Sequence, residues 1–171
     1  MNICVFLSAY DESGRLAPYV EELGNLIAKG GHTLVWGGSN RGLMKILADS
    51  AEGAGGKIIG ITAELFKDYA REKSHEMTIA KTVSERKALM LARSDAFIIL
   101  SGGLGTLDEL TEIMESKKIH LHEKPIIILN LDGFYDGLKM QLERIDQDGF
   151  SPRPIPELVR FVETPKEAMQ C

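Results

Sequence analysis

Short runs of consecutive apolar residues alternate along this chain with longer segments whose apolar positions recur every three or four residues. The runs are Ile3–Leu7, Thr33–Trp36, Ile58–Ile61, Met77–Ala80, Ala96–Leu100, Ile126–Asn130 and Val159–Val162. Several are apolar throughout instead of alternating, which is the pattern of strands covered on both faces, as in a parallel sheet. Between them, Leu16, Val20, Leu23 and Ile27 share one helical face that Gly30-Gly31 ends. Leu43, Ile46, Leu47 and Ala51 repeat that spacing ahead of Gly53, Gly55 and Gly56. Thr82-Val-Ser-Glu85 has capping-box spacing and predicts a helix as far as Arg93. Further helices are expected over Leu107–His120 and Phe134–Ile145. Thr164-Pro-Lys-Glu167, a capping box with proline at the first helical position, opens a short last one.

Strands alternating with helices predict an α/β fold: a doubly wound, mainly parallel sheet of about seven strands, helices on both faces, right-handed crossovers. The length of 171 residues fits one domain spanning 1–171. The polar, aperiodic stretch Thr62–His75 reads as a long loop, of the kind that serves as a lid or binding loop.

In open α/β sheets, ligands bind beyond the carboxyl ends of the strands. Four segments leave strands at that edge: Ser8-Ala-Tyr10, Gly37-Gly-Ser-Asn-Arg-Gly42, the loop from Thr62, and Ser101–Thr106. The last begins Ser101-Gly-Gly-Leu-Gly-Thr-Leu-Asp-Glu109, a glycine-rich turn between a strand and a helix. Bare backbone N–H groups and the helix dipole make such a turn an anion cradle, above all for phosphate. Gly102, Gly103, Leu104, Gly105 and Thr106 are therefore candidate phosphate contacts. The motif lacks the Gly-Lys-Ser/Thr ending of a P-loop and comes too late for a dinucleotide fingerprint. Glu109 has two readings: an acid placed beside the bound anion, or a capping residue returning to the N–H of Thr106. Asp108 reads as a first-turn acid that complements the dipole and borders the anion site. Arg86-Lys87 sits where cations oppose a helix dipole, so either the pair binds an anion or it is solvated beside Glu85. Gly37 and Gly38 suggest a second turn close to phosphate or ribose, or a plain connection. Trp36 before them either packs in the core or stacks on a base.

Composition narrows the field. The net charge of −5 gives no electrostatic footprint for nucleic acid or an anionic membrane, so any phosphate site must be local. No apolar run reaches membrane-spanning length, and the first residues lack a basic, signal-like region. Cys4 and Cys171 form no disulfide framework, which suggests a reducing cytoplasm. His32, His75, His120 and His122 lack metal-ligand spacing, and no metal site is expected.

Taken in order, these motifs resemble the Lonely guy family of phosphoribohydrolases, proteins often labelled lysine decarboxylase-like. The resemblance rests on Trp36-Gly-Gly-Ser-Asn-Arg-Gly-Leu-Met44, Glu85-Arg-Lys-Ala-Leu-Met90, Ser94–Leu100, Ser101–Glu109, Lys124-Pro125 and Gly133-Phe-Tyr-Asp136. It implies a Rossmann-like homodimer, or a higher assembly of dimers, that hydrolyses the N-glycosidic bond of a nucleoside 5′-monophosphate such as AMP or a cytokinin riboside monophosphate. Arg86 and Glu109 map onto the family's essential pair, with Lys87 as a further anion contact. No cofactor is implied. The chain departs from the family pattern at Ser8-Ala9-Tyr10, Ser39, Lys45, Ser101 and Ser116, which bear on substrate identity more than on reaction class. A non-catalytic nucleotide- or cofactor-binding carrier on the same fold is the alternative.

Overall fold

A computed structural model of the chain describes residues 1–170; Cys171, one of the two cysteines, lies outside them. Seven parallel strands form a single sheet: β1 (Asn2–Phe6), β2 (Thr33–Trp36), β3 (Lys57–Ala63), β4 (Glu76–Ala80), β5 (Ala96–Ile99), β6 (Ile126–Leu129) and β7 (Arg160–Val162). Their order is β4-β3-β2-β1-β5-β6-β7. The strand path reverses between β1 and β5, the switch point at which a doubly wound sheet opens a crevice.

The fully apolar runs are explained by the two layers of helices. Ile3, Val5, Leu34, Trp36, Ile58 and Ile98 face one way. There they meet α1 (Ala17–Lys29), α2 (Gly42–Gly53) and α7 (Pro165–Ala168). Cys4, Phe6, Val35, Ile59, Phe97 and Ile99 face the other way. They pack on α3 (Val83–Arg93), α4 (Leu104–Lys118), α5 (Asp136–Gln147) and α6 (Ile155–Leu158). Successive residues of a strand point to opposite faces, so a sheet covered on both faces must be apolar at every position. Trp36 is fully buried in the first layer, which decides its role in favour of the core. Among the described residues, no helix is long and apolar enough to cross a membrane.

Several boundaries differ from expectation. Thr62 and Ala63 belong to β3, not to a loop, and a 3₁₀ turn occupies Glu64–Tyr69. That segment is tied down: Asn40 N–H donates to Tyr69 O (2.8 Å), Arg71 N–H donates to Gly38 O (2.8 Å), and Ser39 bridges Ala70 in antiparallel fashion. Gly53 is the last residue of α2 and not a breaker beyond its end. A short helix, α6, appears in the stretch Ile155–Leu158, where no element was expected. Most consequential for the cleft, α4 starts at Leu104 and not at Leu107.

Register holds the loop-bearing ends of the central strands level, with Val5 opposite both Trp36 and Ile98. The β1 and β2 connections then touch. Gly42 has φ +48°, and a Cβ there would stand 1.6 Å from the carbonyl oxygen of Ala9. Only glycine allows the start of α2 to approach the Ser8–Tyr10 turn this closely.

Candidate functional site

The cleft grows from the start of α4. Gly103 is the N-cap, in an extended conformation with no side chain to satisfy the helix donors. Leu107 N–H donates to Gly103 O (3.1 Å), so the helix is properly closed behind that point. The N–H groups of Leu104, Gly105 and Thr106 precede the first intrahelical bond and face the positive end of the dipole. A Cβ on Gly103 or Gly105 would meet nothing within 4 Å among the described residues, and Gly103 to Thr106 border the cleft. A Cβ on Gly102 would collide with the Thr106 side chain, whose hydroxyl would lie 2.1 Å away. Gly102 thus lets Thr106 fold in beneath the loop.

The early start of α4 settles the alternative role of Glu109. With Gly103 as cap, Glu109 falls in the second turn, too deep to return to the Thr106 N–H. Instead its Oε1 accepts from Arg86 Nη1 at 2.6 Å, and both side chains are buried (each 9% exposed). Arg86 also donates from Nε to the Ile61 carbonyl of β3 (2.9 Å). Its dipole-opposed place early in α3 is explained by this reach into the sheet, and Arg86 is not the solvated cation of the alternative reading. The α3 cap is as the spacing suggested at one end only: Thr82 Oγ1 accepts from Glu85 N–H (3.0 Å), while Glu85 returns to Lys81 N–H (2.8 Å). Gly37 contributes by lacking a side chain. A Cβ there would lie 2.5 Å from Arg86 Nη2, so any larger residue would displace the guanidinium.

Burial pushes the Glu109 carboxyl above its ordinary range, and the Arg86 charge opposes that rise without cancelling it. Among the described residues no donor reaches Glu109 Oε2. One oxygen is therefore held by arginine and the other is available, on a carboxyl that is more basic than usual.

These groups line one cleft of about 420 Å³. Gly37, Arg86, Gly103, Leu104, Gly105, Thr106 and Glu109 all border it, so the structure brings together seven of the expected positions. Gly38, Lys87, Gly102 and Asp108 do not border it. Lys87 Nζ instead bridges α3 to α4, through Asp108 Oδ2 (2.8 Å) and Glu112. These two carboxylates hold its ammonium above the usual lysine range. The lining also includes Met44, which no motif singled out, and Thr62, Phe66 and Tyr69. The last three come from the stretch expected to leave β3 at this edge as a binding loop, though none was named as a site residue. Among the described residues, no group of three or more His, Cys, Asp or Glu is arranged to hold a metal ion.

Ser101, at the head of the loop, is buried, and among the described residues its Oγ has no hydrogen-bond partner. An orphaned buried hydroxyl costs about 1–3 kcal/mol. Ser101→Ala is therefore expected to raise stability by on the order of 1 kcal/mol, seen as a higher denaturation midpoint. A lower midpoint would show that the hydroxyl has a partner in solution.

A seven-stranded parallel sheet with a crevice at its switch point and a glycine-rich strand-to-helix turn defines a Rossmann-like α/β protein. Within that class, residues 44–171 match the family model described as possible lysine decarboxylase. The chain belongs to this family, the Lonely guy family. It is 34% identical over 173 residues to the cytokinin riboside 5′-monophosphate phosphoribohydrolase of Mycobacterium tuberculosis, covering 99% of this chain and 92% of that protein. The Arabidopsis thaliana cytokinin riboside 5′-monophosphate phosphoribohydrolase LOG3 is 32% identical over 174 residues, covering 99% and 80%. Among solved structures, the Moco carrier protein of Chlamydomonas reinhardtii superposes with a TM-score of 0.73 at 21% identity, over 98% of this chain and 92% of that one. At that identity the likeness concerns the fold.

Proposed function

We propose that this protein is a nucleotide phosphoribohydrolase, cleaving the N-glycosidic bond of a nucleoside 5′-monophosphate of the AMP or cytokinin riboside monophosphate type to free base and ribose 5-phosphate. The observation that carries the reading is the buried Arg86–Glu109 pair, 2.6 Å apart, in the same cleft as the open start of α4. Binding an anion at a helix terminus needs no buried acid beside it; chemistry on the bound molecule does.

In this reading the 5′-phosphate sits on the N–H groups of Leu104, Gly105 and Thr106, with the Thr106 hydroxyl close by. The ribose then lies over Glu109. As the C1′–N bond breaks, its electron pair leaves with the base, and positive charge develops on the ribose. The Glu109 carboxylate stabilises that charge, and its free oxygen takes a proton from the water whose oxygen bonds to C1′. The base nitrogen gains its proton from solvent. Arg86 holds the carboxylate in place and turns its remaining donors toward ribose or the departing base. Lysine decarboxylation through a Schiff base does not fit this cleft, since no lysine borders it and Lys87 is held in two ion pairs.

The proposal includes action in a reducing cytoplasm and self-association into a homodimer or an assembly of dimers. The outward face of α4 carries the polar residues Thr111, Glu112 and Glu115, so its middle offers no apolar contact surface. Exposed apolar groups near it, Ile119 and Leu121, follow the helix.

Incubation with a panel of nucleoside monophosphates, alongside the matching nucleosides, tests the reading through free base released. Release from the monophosphates, and much less from nucleosides lacking the phosphate, is the expected result. Binding across the panel without release would favour a carrier.

A further inference from the structure

The segment that follows β3 has the composition of a mobile lid, yet beside its backbone ties to the β2 connection it is anchored by one side chain. Arg71 donates from Nη1 to Asp49 Oδ1 (2.5 Å) and from Nη2 to Glu52 Oε2 (2.7 Å), both on α2. Its Nε donates to Lys73 O (3.0 Å), and its backbone N–H to Gly38 O (2.8 Å). The side chain is only 12% exposed, whereas its two acidic partners are partly open to solvent. A forked guanidinium engaged on every nitrogen fixes geometry far better than a point charge would.

This clamp holds up two aromatic rings. Phe66 and Tyr69 are each 42% exposed and border the cleft, and the Arg41 guanidinium lies 3.7 Å from the centre of the Tyr69 ring. Both rings stand half-exposed on a single short 3₁₀ turn, an element with poorer hydrogen-bond geometry than an α-helix. The sheet order β3-β2-β1-β5 sets this wall, which follows β3, on one side of the cleft. The open start of α4, which follows β5, is on the other.

We propose that Arg71 is a positioning residue: it fixes Phe66 and Tyr69 as the wall against which the base of the nucleotide packs while the phosphate is held across the cleft on α4. The inference rests on the nucleoside-monophosphate reading and adds a division of labour to it. Planar bases stack on aromatic side chains with little regard to sequence, so the wall favours a flat, apolar-faced base over none at all.

Ribose 5-phosphate carries the phosphate and sugar but no base, and it separates the two halves of the cleft. Titration calorimetry in a Glu109→Gln background keeps AMP intact. There, Arg71→Ala is expected to weaken AMP at least about tenfold and ribose 5-phosphate by less than about twofold, the range for losing one stacking partner. With Glu109 in place, KM for AMP rises by the same factor while kcat falls by less than about threefold. A merely structural role for Arg71 would lower the denaturation midpoint and the active fraction without this split. Phe66→Ala, at a half-exposed position, reproduces the split with the clamp intact and keeps the test open should Arg71→Ala unfold. Equal weakening of both ligands, or of neither, overturns the wall while leaving base release by the unaltered protein in place. Failure of the unaltered protein to bind or cleave any nucleoside monophosphate overturns the parent reading and this one with it.

Discussion

Glu109→Gln is expected to fold and to bind nucleoside monophosphates, yet to release base at least about a hundredfold more slowly, the range for losing a catalytic acid or base. Glutamine keeps the shape and can still accept the Arg86 hydrogen bond through its carbonyl, so the buried arginine is not orphaned. What disappears is the negative charge facing the ribose and the oxygen that takes a proton from water. The same residue sets the acid side of the pH profile. Burial raises its carboxyl above the ordinary value, and the working form is the carboxylate. Activity is therefore lost as pH falls through that raised value, earlier than for a solvent-exposed glutamate. A steady-state pH–rate profile reads this directly; in Glu109→Gln the limb should vanish along with most of the rate. Near-normal turnover in a folded Glu109→Gln protein would remove Glu109 from the chemistry.

Arg86→Met should damage both activity and stability. It leaves Glu109 buried without its cation and takes the donor from the Ile61 carbonyl. Removing one partner of a buried pair costs about 3–5 kcal/mol. With Arg86 gone, burial acts on Glu109 unopposed, so its folded-state pKa moves further above the unfolded one. A group with a raised folded-state pKa contributes fully below its unfolded pKa and loses that contribution as pH rises through the folded value. The stability deficit of Arg86→Met against the unaltered protein should thus be smallest near about pH 5 and largest near about pH 8. Denaturant unfolding at the two pH values measures it. An equal deficit at both, or a larger one in acid, would mean that Glu109 is not held ionised by Arg86.

The strands were legible because a sheet covered on both faces leaves continuous apolar runs such as Ala96–Leu100, and the helix faces because apolar spacing of three and four is periodic. The Arg86–Glu109 pair was legible only as two separate candidates, each with a second reading. What joined them was the register of α4, and its start carried no signal: Gly103 caps without a side chain, whereas Thr106 to Glu109 mimics a capping box three residues too late. The Phe66–Tyr69 wall was hidden for a different reason. Its pin is a contact between Arg71 and residues 22 and 19 positions earlier, which leaves no local pattern in a polar, aperiodic stretch. Lys87 shows the opposite error. Its adjacency to Arg86 suggested a shared anion site, but successive helix positions point about 100° apart, and it turns to Asp108 and Glu112 on the outside of α4.

The central claim is that one cleft holds the phosphate of a nucleotide and breaks its glycosidic bond with the Arg86–Glu109 pair. Product analysis of AMP incubated with the unaltered protein and with Glu109→Gln tests it most directly. Adenine and ribose 5-phosphate in a one-to-one ratio are expected from the former and almost none from the latter. AMP bound and recovered intact from the unaltered protein, or equal product from both, would contradict it.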